Sequence, residues 1–248
     1  MLEVNQPRNR TVVVFSGAGL SAESGIATFR DSNGLWENHR VEDVASPDGW
    51  RRDPALVLNF YELRFRAVQA VQPNEAHRSI ARLQAKFNVL NITQNIDDLL
   101  ERAGCETVVH LHGLITRRKC EFHRDIFGDG YYTCDFKAHQ DVPVKLGDLC
   151  PRCGGQLRPD VVWFGEAVDL DYHQLSLLVD ELQRHDGVFI CVGTSAQVQP
   201  ASHLIPIFSS VKRKYIIDVK TRPTGDYTLL EGTATTMMKQ LVDELMGE

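Results

Sequence analysis

The sequence predicts an α/β protein: a parallel β-sheet with helices on both faces, interrupted by a small metal-stapled insert. Three observations carry this expectation. Short β-branched runs, apolar nearly throughout, alternate with longer amphipathic stretches, as strands buried on both faces alternate with crossover helices. A glycine-rich string follows the first apolar run, at the strand-to-helix turn where α/β sheets bind nucleotides. Four of the six cysteines fall between about Arg117 and Arg158. That stretch has little apolar periodicity, and a metal can replace the missing core there, whereas a structureless loop of that length is out of place in a compact domain.

Taken in order, strands are expected over 11–15, 87–92, 108–111, 187–192 and 215–219. Helices are expected over 54–71, 75–86, 172–184 and 235–246. Asp53 and Pro54 open the first of these with N-cap and N1 chemistry. No internal repeat or low-complexity tract is evident. The chain therefore reads as one domain over 1–248, with 10–116 and 159–248 forming the sheet part and 117–158 the insert.

Composition narrows the function classes. With 248 residues, 43% hydrophobic and 24% charged, the chain sits at the globular average and can bury a full core, which argues against disorder and fibrous structure. The 27 basic residues against 33 acidic ones leave a net charge of −6, the wrong sign for holding nucleic acid by its phosphates. The polar amino end lacks the basic and apolar regions of a secretory signal. Apolar runs such as Val12–Phe15 and Val188–Val192 are far shorter than the roughly 18 residues of a membrane span. A soluble, cytoplasmic protein is the expectation, with no membrane and no nucleic acid as partners. In a reducing compartment clustered cysteines hold metal more often than they form disulfides.

The string Ser16-Gly17-Ala18-Gly19-Leu20-Ser21-Ala22 places Gly17, Gly19 and Ala22 at the G-x-G-x-x-G/A spacing, where backbone N–H groups approach a pyrophosphate. A tight turn gives the same spacing, and the acidic ribose-binding residue of a usual dinucleotide fold is not evident. The longer string is more specific. Gly17 through Arg30, GAGLSAESGIATFR, resembles the opening signature of the sirtuins, the NAD-dependent protein lysine deacylases. Four further matches follow in the family's order: Thr93-Gln94-Asn95-Ile96-Asp97, His110-Leu111-His112-Gly113, Val161-Val162-Trp163-Phe164-Gly165-Glu166 and Gly193-Thr194-Ser195. The resemblance runs from about residue 11 to the carboxyl end and implies a Rossmann-like domain with a small zinc-ribbon insert, with NAD and substrate between them.

The resemblance also implies roles. His112 is the general base, a task its ordinary near-neutral pKa suits, although a lone histidine here could simply be a satisfied strand-end residue. In the family, the acyl oxygen attacks C1′ of the nicotinamide ribose and nicotinamide leaves. The histidine then deprotonates a ribose hydroxyl that attacks the alkylamidate, and water releases lysine and O-acyl-ADP-ribose, so NAD is a consumed co-substrate. Gly17, Ala18, Gly19 and Ser21 belong to the NAD-binding turn, and Phe29 and Arg30 shield the ribose and grip NAD. Gln94, Asn95 and Asp97 hold ribose and nicotinamide; Gly193, Thr194 and Ser195 contact phosphates and ribose; Ala234 lies beside the adenine. Along Val162, Phe164, Gly165 and Glu166 the acyl-lysine protein or peptide adds as an extra strand.

Three features depart from the commonest family pattern. Thr28 stands where Asp is frequent, as in the branch active on acidic acyl groups. Asp218 stands where an Asn usually meets the adenosine ribose, and a carboxylate can still accept hydroxyl bonds. The third departure is the metal site. Cys150-Pro151-Arg152-Cys153 followed by Gly154-Gly155 is a zinc knuckle by its spacing, and Cys120 supplies a third ligand. The fourth is open: His123 fits the C-x-x-C register of the partner knuckle, and Cys134 gives an all-cysteine site. Either set leaves zinc structural, with no open position, while Cys105 and Cys191 read as small core residues. Arg117, Arg118, Lys119 and Arg124 make a nucleic-acid zinc knuckle the rival reading.

Tyr61 and Arg64 are three residues apart on the expected helix and share one face. They match the pair that marks the desuccinylase- and demalonylase-like bacterial class III branch, in which a phenol and a guanidinium bind a carboxylate. Succinyl and malonyl groups, alongside acetyl, are therefore the expected leaving acyl groups. Mono-ADP-ribosyl transfer, a noncatalytic NAD-sensing module and a hydride-transferring dehydrogenase are the competing functions.

Overall fold

Strand Thr11–Ser16 (β1) is TVVVFS with every residue buried, and a strand buried on both faces belongs at the middle of a covered parallel sheet. It pairs in parallel with Asn88–Thr93 (β4) on one side and Val188–Val192 (β9) on the other. In chain order, β1 is followed by α1 (Gly19–Ala22), the short antiparallel pair β2 (Leu35–Trp36) and β3 (His39–Arg40), α2 (Val41–Val44), α3 (Pro47–Arg52), α4 (Pro54–Ala70) and α5 (Glu75–Leu83). After β4 come α6 (Leu99–Arg102), β5 (Val108–His110), β6 (Gly113–Cys120), β7 (Lys137–His139), β8 (Leu157–Val161) and α7 (Tyr172–Arg184). After β9 come α8 (Leu204–Ile207), β10 (Arg213–Asp218), β11 (Thr228–Glu231) and α9 (Ala234–Gly247). The computed structural model describes residues 10–27, 35–36, 39–123, 134–168, 170–194, 203–221 and 224–247.

The main sheet has the order β11-β10-β9-β1-β4-β5, with every pair parallel. Side chains alternate across it as a period of two requires. Val12, Val14 and Ile190 meet α5 and α9 through Ile80, Leu83, Met238, Leu241 and Leu245. Val13, Phe15 and Phe189 meet α7 and α8 through Leu175, Leu178, Leu182 and Leu204. The helices start where their caps dictate. The Asp53 carboxylate accepts the Leu56 N–H and Pro54 opens α4. Asn74 accepts the N–H groups of Ala76 and His77 at the head of α5, and Asp171 caps α7.

The five expected strands of the main sheet and four long helices are present, with ends shifted by up to three residues, the most at α5, which stops at Leu83. Edge strand β11 is an addition. So is a three-stranded antiparallel sheet, β7-β6-β8, whose central strand starts at Gly113 and whose last strand ends at Val161. It closes a third core in which Val57, Phe60, Tyr61 and Phe65 of α4 pack with Ile115, Leu157, Val161 and the buried cysteines. The smaller lobe is thus a helical layer on a cysteine-bearing sheet. Among the described residues no helix is long and apolar enough to cross a membrane.

Candidate active site

From the middle of the main sheet the chain proceeds outward in two directions, through β4 and β5 on one side and through β10 and β11 on the other. The carboxyl ends of β1 and β9 therefore flank the switch point where open α/β sheets bind ligands. Here two turns touch backbone to backbone. The Gly17 N–H donates to the Val192 carbonyl (3.1 Å) and the Gly19 N–H to the Gly193 carbonyl (2.8 Å). A Cβ on Gly19 would lie 2.6 Å from Gly193 Cα, and one on Gly17 would lie 2.7 Å from Thr194 Cβ. Gly193 has φ +62 and no room for a Cβ, so glycine is required on both counts. Leu20, fully buried, anchors α1 behind the turn.

The turn after β4 carries Gln94, Asn95 and Asp97 to the same edge. Ser21, at the end of the glycine string, is 1% exposed and ties the two turns together: its hydroxyl donates to Asp97 Oδ2 (2.9 Å) and accepts from Asn95 Nδ2 (3.1 Å). Burial raises the Asp97 carboxyl, against the pull of the Leu99 N–H and the Ser21 hydroxyl. Behind Ser21 lies His77, whose Nε2 is 3.4 Å from the hydroxyl. Burial, helped by the charge of Arg78, holds His77 down to about 4, so it is neutral at physiological pH. Gln94 Nε2 donates to Thr194 Oγ1 (2.8 Å) and bridges the ends of β4 and β9. Asp218 ends β10, with Oδ1 accepting the Lys220 N–H (3.2 Å). Ala234 begins α9, whose first turn is held by Glu23 through Thr235.

His112 stands just past β5. Its Nδ1 lies 2.9 Å from the Gln94 carbonyl, which can only accept, so Nδ1 carries the proton and Nε2 keeps its lone pair. Burial holds the ring below the ordinary histidine value, partly offset by the Gln94 bond. The His112 carbonyl accepts the Val162 N–H (2.9 Å), joining the histidine to the segment after β8.

That segment is fastened from below. Arg158, 1% exposed, lies under the Trp163 ring with its guanidinium carbon 3.7 Å from the centroid. It pairs with Glu166 and donates to the Val161 carbonyl (3.1 Å). The other Glu166 oxygen accepts the Trp163 N–H (2.9 Å). Phe164 is half exposed at the tip and Gly165 has φ +93. Tyr61 and Arg64 of α4 are buried on the same side. Burial pushes the Tyr61 phenol up while the Arg64 charge opposes it. The Tyr61 hydroxyl and the Trp163 indole N–H are both buried, and the indole also opposes the rise at the phenol.

The sulfurs of Cys120, Cys134, Cys150 and Cys153 lie within 4.8 Å of one another. Cys120 and Cys153 are 3.4 Å apart, and Cys134 and Cys150 are 3.6 Å apart. Tetrahedral zinc with Zn–S near 2.3 Å sets its sulfurs at roughly 3.8 Å, so these four fit the ion. Burial acts to raise the Cys150 thiol, but the N–H groups of Arg152 and Cys153 outweigh it and bring it to about 7. Of the two candidates for fourth ligand, Cys134 is the one within this group; His123 is buried beside it, bridged to Cys134 through the backbone. Cys105 and Cys191 lie apart in the two cores of the main sheet.

The fold thus brings Gly17, Ala18, Gly19, Ser21, Gln94, Asn95, Asp97, His112, Gly193 and Thr194 to one crevice. Thr28, Phe29, Arg30 and Ser195 lie outside the described residues. Two contributors escaped the sequence reading. His77 sits at N3 of a helix whose Asn74 cap it reciprocates, and an Asn-x-x-His at a helix start is the trace it leaves. Arg158 reads as one more surface charge until its stacking partner is known.

The Sir2 family model matches residues 17–200. An NAD-dependent protein deacylase of Bacteroides thetaiotaomicron is 44% identical over 211 residues, covering 85% of this chain and 86% of that protein. One of Thermococcus sibiricus is 39% identical over 243 residues, covering 94% and 91%. A solved Sir2 homologue–NAD complex superposes with a TM-score of 0.78 at 37% identity, covering 96% of this chain and 90% of that one. The five ordered motifs, the crevice they build and these matches agree: the chain belongs to the Sir2 family, the sirtuins.

Proposed function

We propose that this chain is an NAD-dependent protein-lysine deacylase that removes acetyl and acidic acyl groups, succinyl and malonyl, with nicotinamide, free lysine and O-acyl-ADP-ribose as products. One observation carries the reading: His112 gives its Nδ1 proton to Gln94 and its carbonyl to Val162. A basic Nε2 is thereby held between the dinucleotide crevice and the strand along which a peptide would add. NAD supplies the electrophilic ribose carbon and the hydroxyl that must lose a proton, and His112 Nε2 is placed to take that proton.

The other residues bind and orient. Gly17, Ala18 and Gly19 let the main chain approach the phosphates. Gly193 and Thr194, with Ser195 by resemblance, line the opposite wall. By resemblance, Gln94, Asn95 and Asp97 would face ribose and nicotinamide, Asp218 and Ala234 the adenosine end, and Phe29 and Arg30 would shield the ribose. Val162, Phe164 and Gly165 offer backbone to the substrate strand, which Glu166 stiffens through Arg158 and Trp163. Tyr61 and Arg64 would read a terminal carboxylate on the acyl group. Zinc, held by Cys120, Cys134, Cys150 and Cys153, would be structural. Its lobe contains the 117–158 segment together with α4, β6 from Gly113 and β8 to Val161. Six free cysteines among the described residues suit a reducing cytoplasm.

The deciding experiment incubates the protein with NAD and acetyl-, succinyl- and malonyl-lysine peptides and follows nicotinamide by chromatography and peptide mass. NAD-dependent loss of the acyl mass supports the reading. Gain of an ADP-ribose mass with the acyl group retained would replace it with ADP-ribosyl transfer, and growth of NADH absorbance with hydride transfer.

A further inference from the structure

The turn after β4 presents two consecutive carbonyls to the end of β5. His112 engages the first, that of Gln94. The second, that of Asn95, lies 2.8 Å from Nδ1 of His110, and Nε2 of the same ring lies 2.7 Å from Glu101 Oε1 on α6. The two histidines, one at the end of β5 and one in the turn just past it, thus reach neighbouring carbonyls of the same turn. A carbonyl has no proton to give, so Nδ1 of His110 donates. Burial acts to raise the Glu101 carboxyl, but the hydrogen bond and charge of His110 outweigh it and hold it below its ordinary value; as a carboxylate it too can only accept. His110 thus spans from the Asn95 carbonyl to Glu101, with an oxygen at each ring nitrogen. Its side chain is 5% exposed, so water does not substitute for either partner. Asp97 in the same turn, Arg117 on β6 and the Cys105 thiol after α6 complete the titratable and charged surroundings of the pair.

We propose that His110 is a positioning residue that fastens the Asn95 carbonyl to Glu101 and so fixes the orientation of the Gln94–Asp97 turn toward NAD. The inference deepens the NAD-dependent reading and rests on it. The two histidines then divide the work on one turn. His112 keeps an Nε2 lone pair for the reaction, whereas His110 commits both ring nitrogens to holding the frame.

The test uses the full chain labelled with ¹⁵N-histidine. Long-range ¹H–¹⁵N spectra should show His110 and His112 each with a proton on Nδ1, facing the Asn95 and Gln94 carbonyls. NAD affinity is then read by calorimetry, and KM by nicotinamide release. His110→Leu should weaken NAD binding roughly ten- to a hundredfold, the size of a charge-assisted bond, while the acyl-peptide KM stays within about twofold. His110→Asn, whose amide nitrogen reaches the Asn95 carbonyl as Nδ1 does, should recover most of the loss. A His110 without a proton on Nδ1 in the wild-type spectrum overturns the proposal, as does a His110→Leu protein with wild-type NAD affinity. If His110→Leu does not fold, the spectrum and His110→Asn decide: an Asn variant that binds NAD a hundredfold more weakly, about the loss of the whole bond, also overturns it. Spectra and NAD affinity need no turnover. Absence of deacylation with NAD bound therefore sinks only the deacylase reading, and absence of NAD binding sinks both.

Discussion

Replacing Arg64 by Met separates acyl recognition from catalysis. The guanidinium is 7% exposed, shielded by the lobe that α4 makes with Trp163 and Val161, so water is a poor substitute for it there. A hydrogen bond to a charged partner in such a setting contributes about 1.5–3 kcal/mol, and each ~1.4 kcal/mol is a factor of ten. Arg64→Met should therefore lower kcat/KM for a succinyl-lysine peptide by roughly ten- to a hundredfold. An acetyl-lysine peptide leaves no carboxylate unpaired and should change by less than about threefold on the same reasoning. Methionine keeps the buried stem, and the Phe60 ring, 5.7 Å from the guanidinium carbon, loses only an interaction worth about 0.5–1 kcal/mol. Steady-state nicotinamide release on matched peptides, with a melting curve for each protein, reads both effects. Equal losses on the two substrates would mean that Arg64 supports the lobe rather than reads the acyl group.

Three further outcomes are expected. His112→Ala should lower turnover by about 10²–10⁴-fold with NAD binding retained; because burial holds His112 below 6.5 and the base must be neutral, wild-type kcat/KM should be level at neutral pH and fall on acidification with a midpoint below 6.5, so a midpoint above it contradicts the assignment. Cys134→Ser should lose the zinc measured by plasma emission and His123→Ala should keep it; the reverse would show that the cysteine cluster is not the ligand set. Gly193→Ala would set a Cβ 2.4 Å from the Leu20 nitrogen at a φ of +62, and overpacking plus a left-handed Cβ together cost roughly 2–5 kcal/mol, which should appear as a melting point lowered by at least about 4 °C.

The main sheet was legible because its strands are apolar nearly throughout, and the crevice because its motifs are contiguous in sequence. The cysteine-bearing insert was legible too, but its strands were not, for a physical reason. Its strands bury charge: Lys119, Arg158 and Asp160 are each 2% exposed or less. Asp160 draws Arg117 and Lys119 to 3.1 and 3.6 Å, so the polar residues that looked like a loop neutralise one another in a core. Edge strand β11 is short and half-buried and leaves no clear alternation. The fourth zinc ligand was undecidable because spacing ranks His123 with Cys134, and only the path of the chain brings one sulfur to the other three. His110 was visible as a letter in a motif. What it does depends on Glu101, which packing and not sequence sets beside it.

The central place of β1 has a consequence for how this protein is made. Val12 pairs with Val89 on one side and with Val188 on the other, so β1 must wait until β9, far downstream in the chain, has been made before both of its edges are covered. Until β9 is synthesised, a run of valines carries an open hydrogen-bonding edge, the kind of surface that recruits other chains. Gly17 and Gly19 likewise lack the Gly193 backbone they rest on. Fragments that end before residue 188 should therefore be sticky and unable to shape the crevice. A cell making this protein would depend on the pace of the last stretch of translation for its yield of sound molecules.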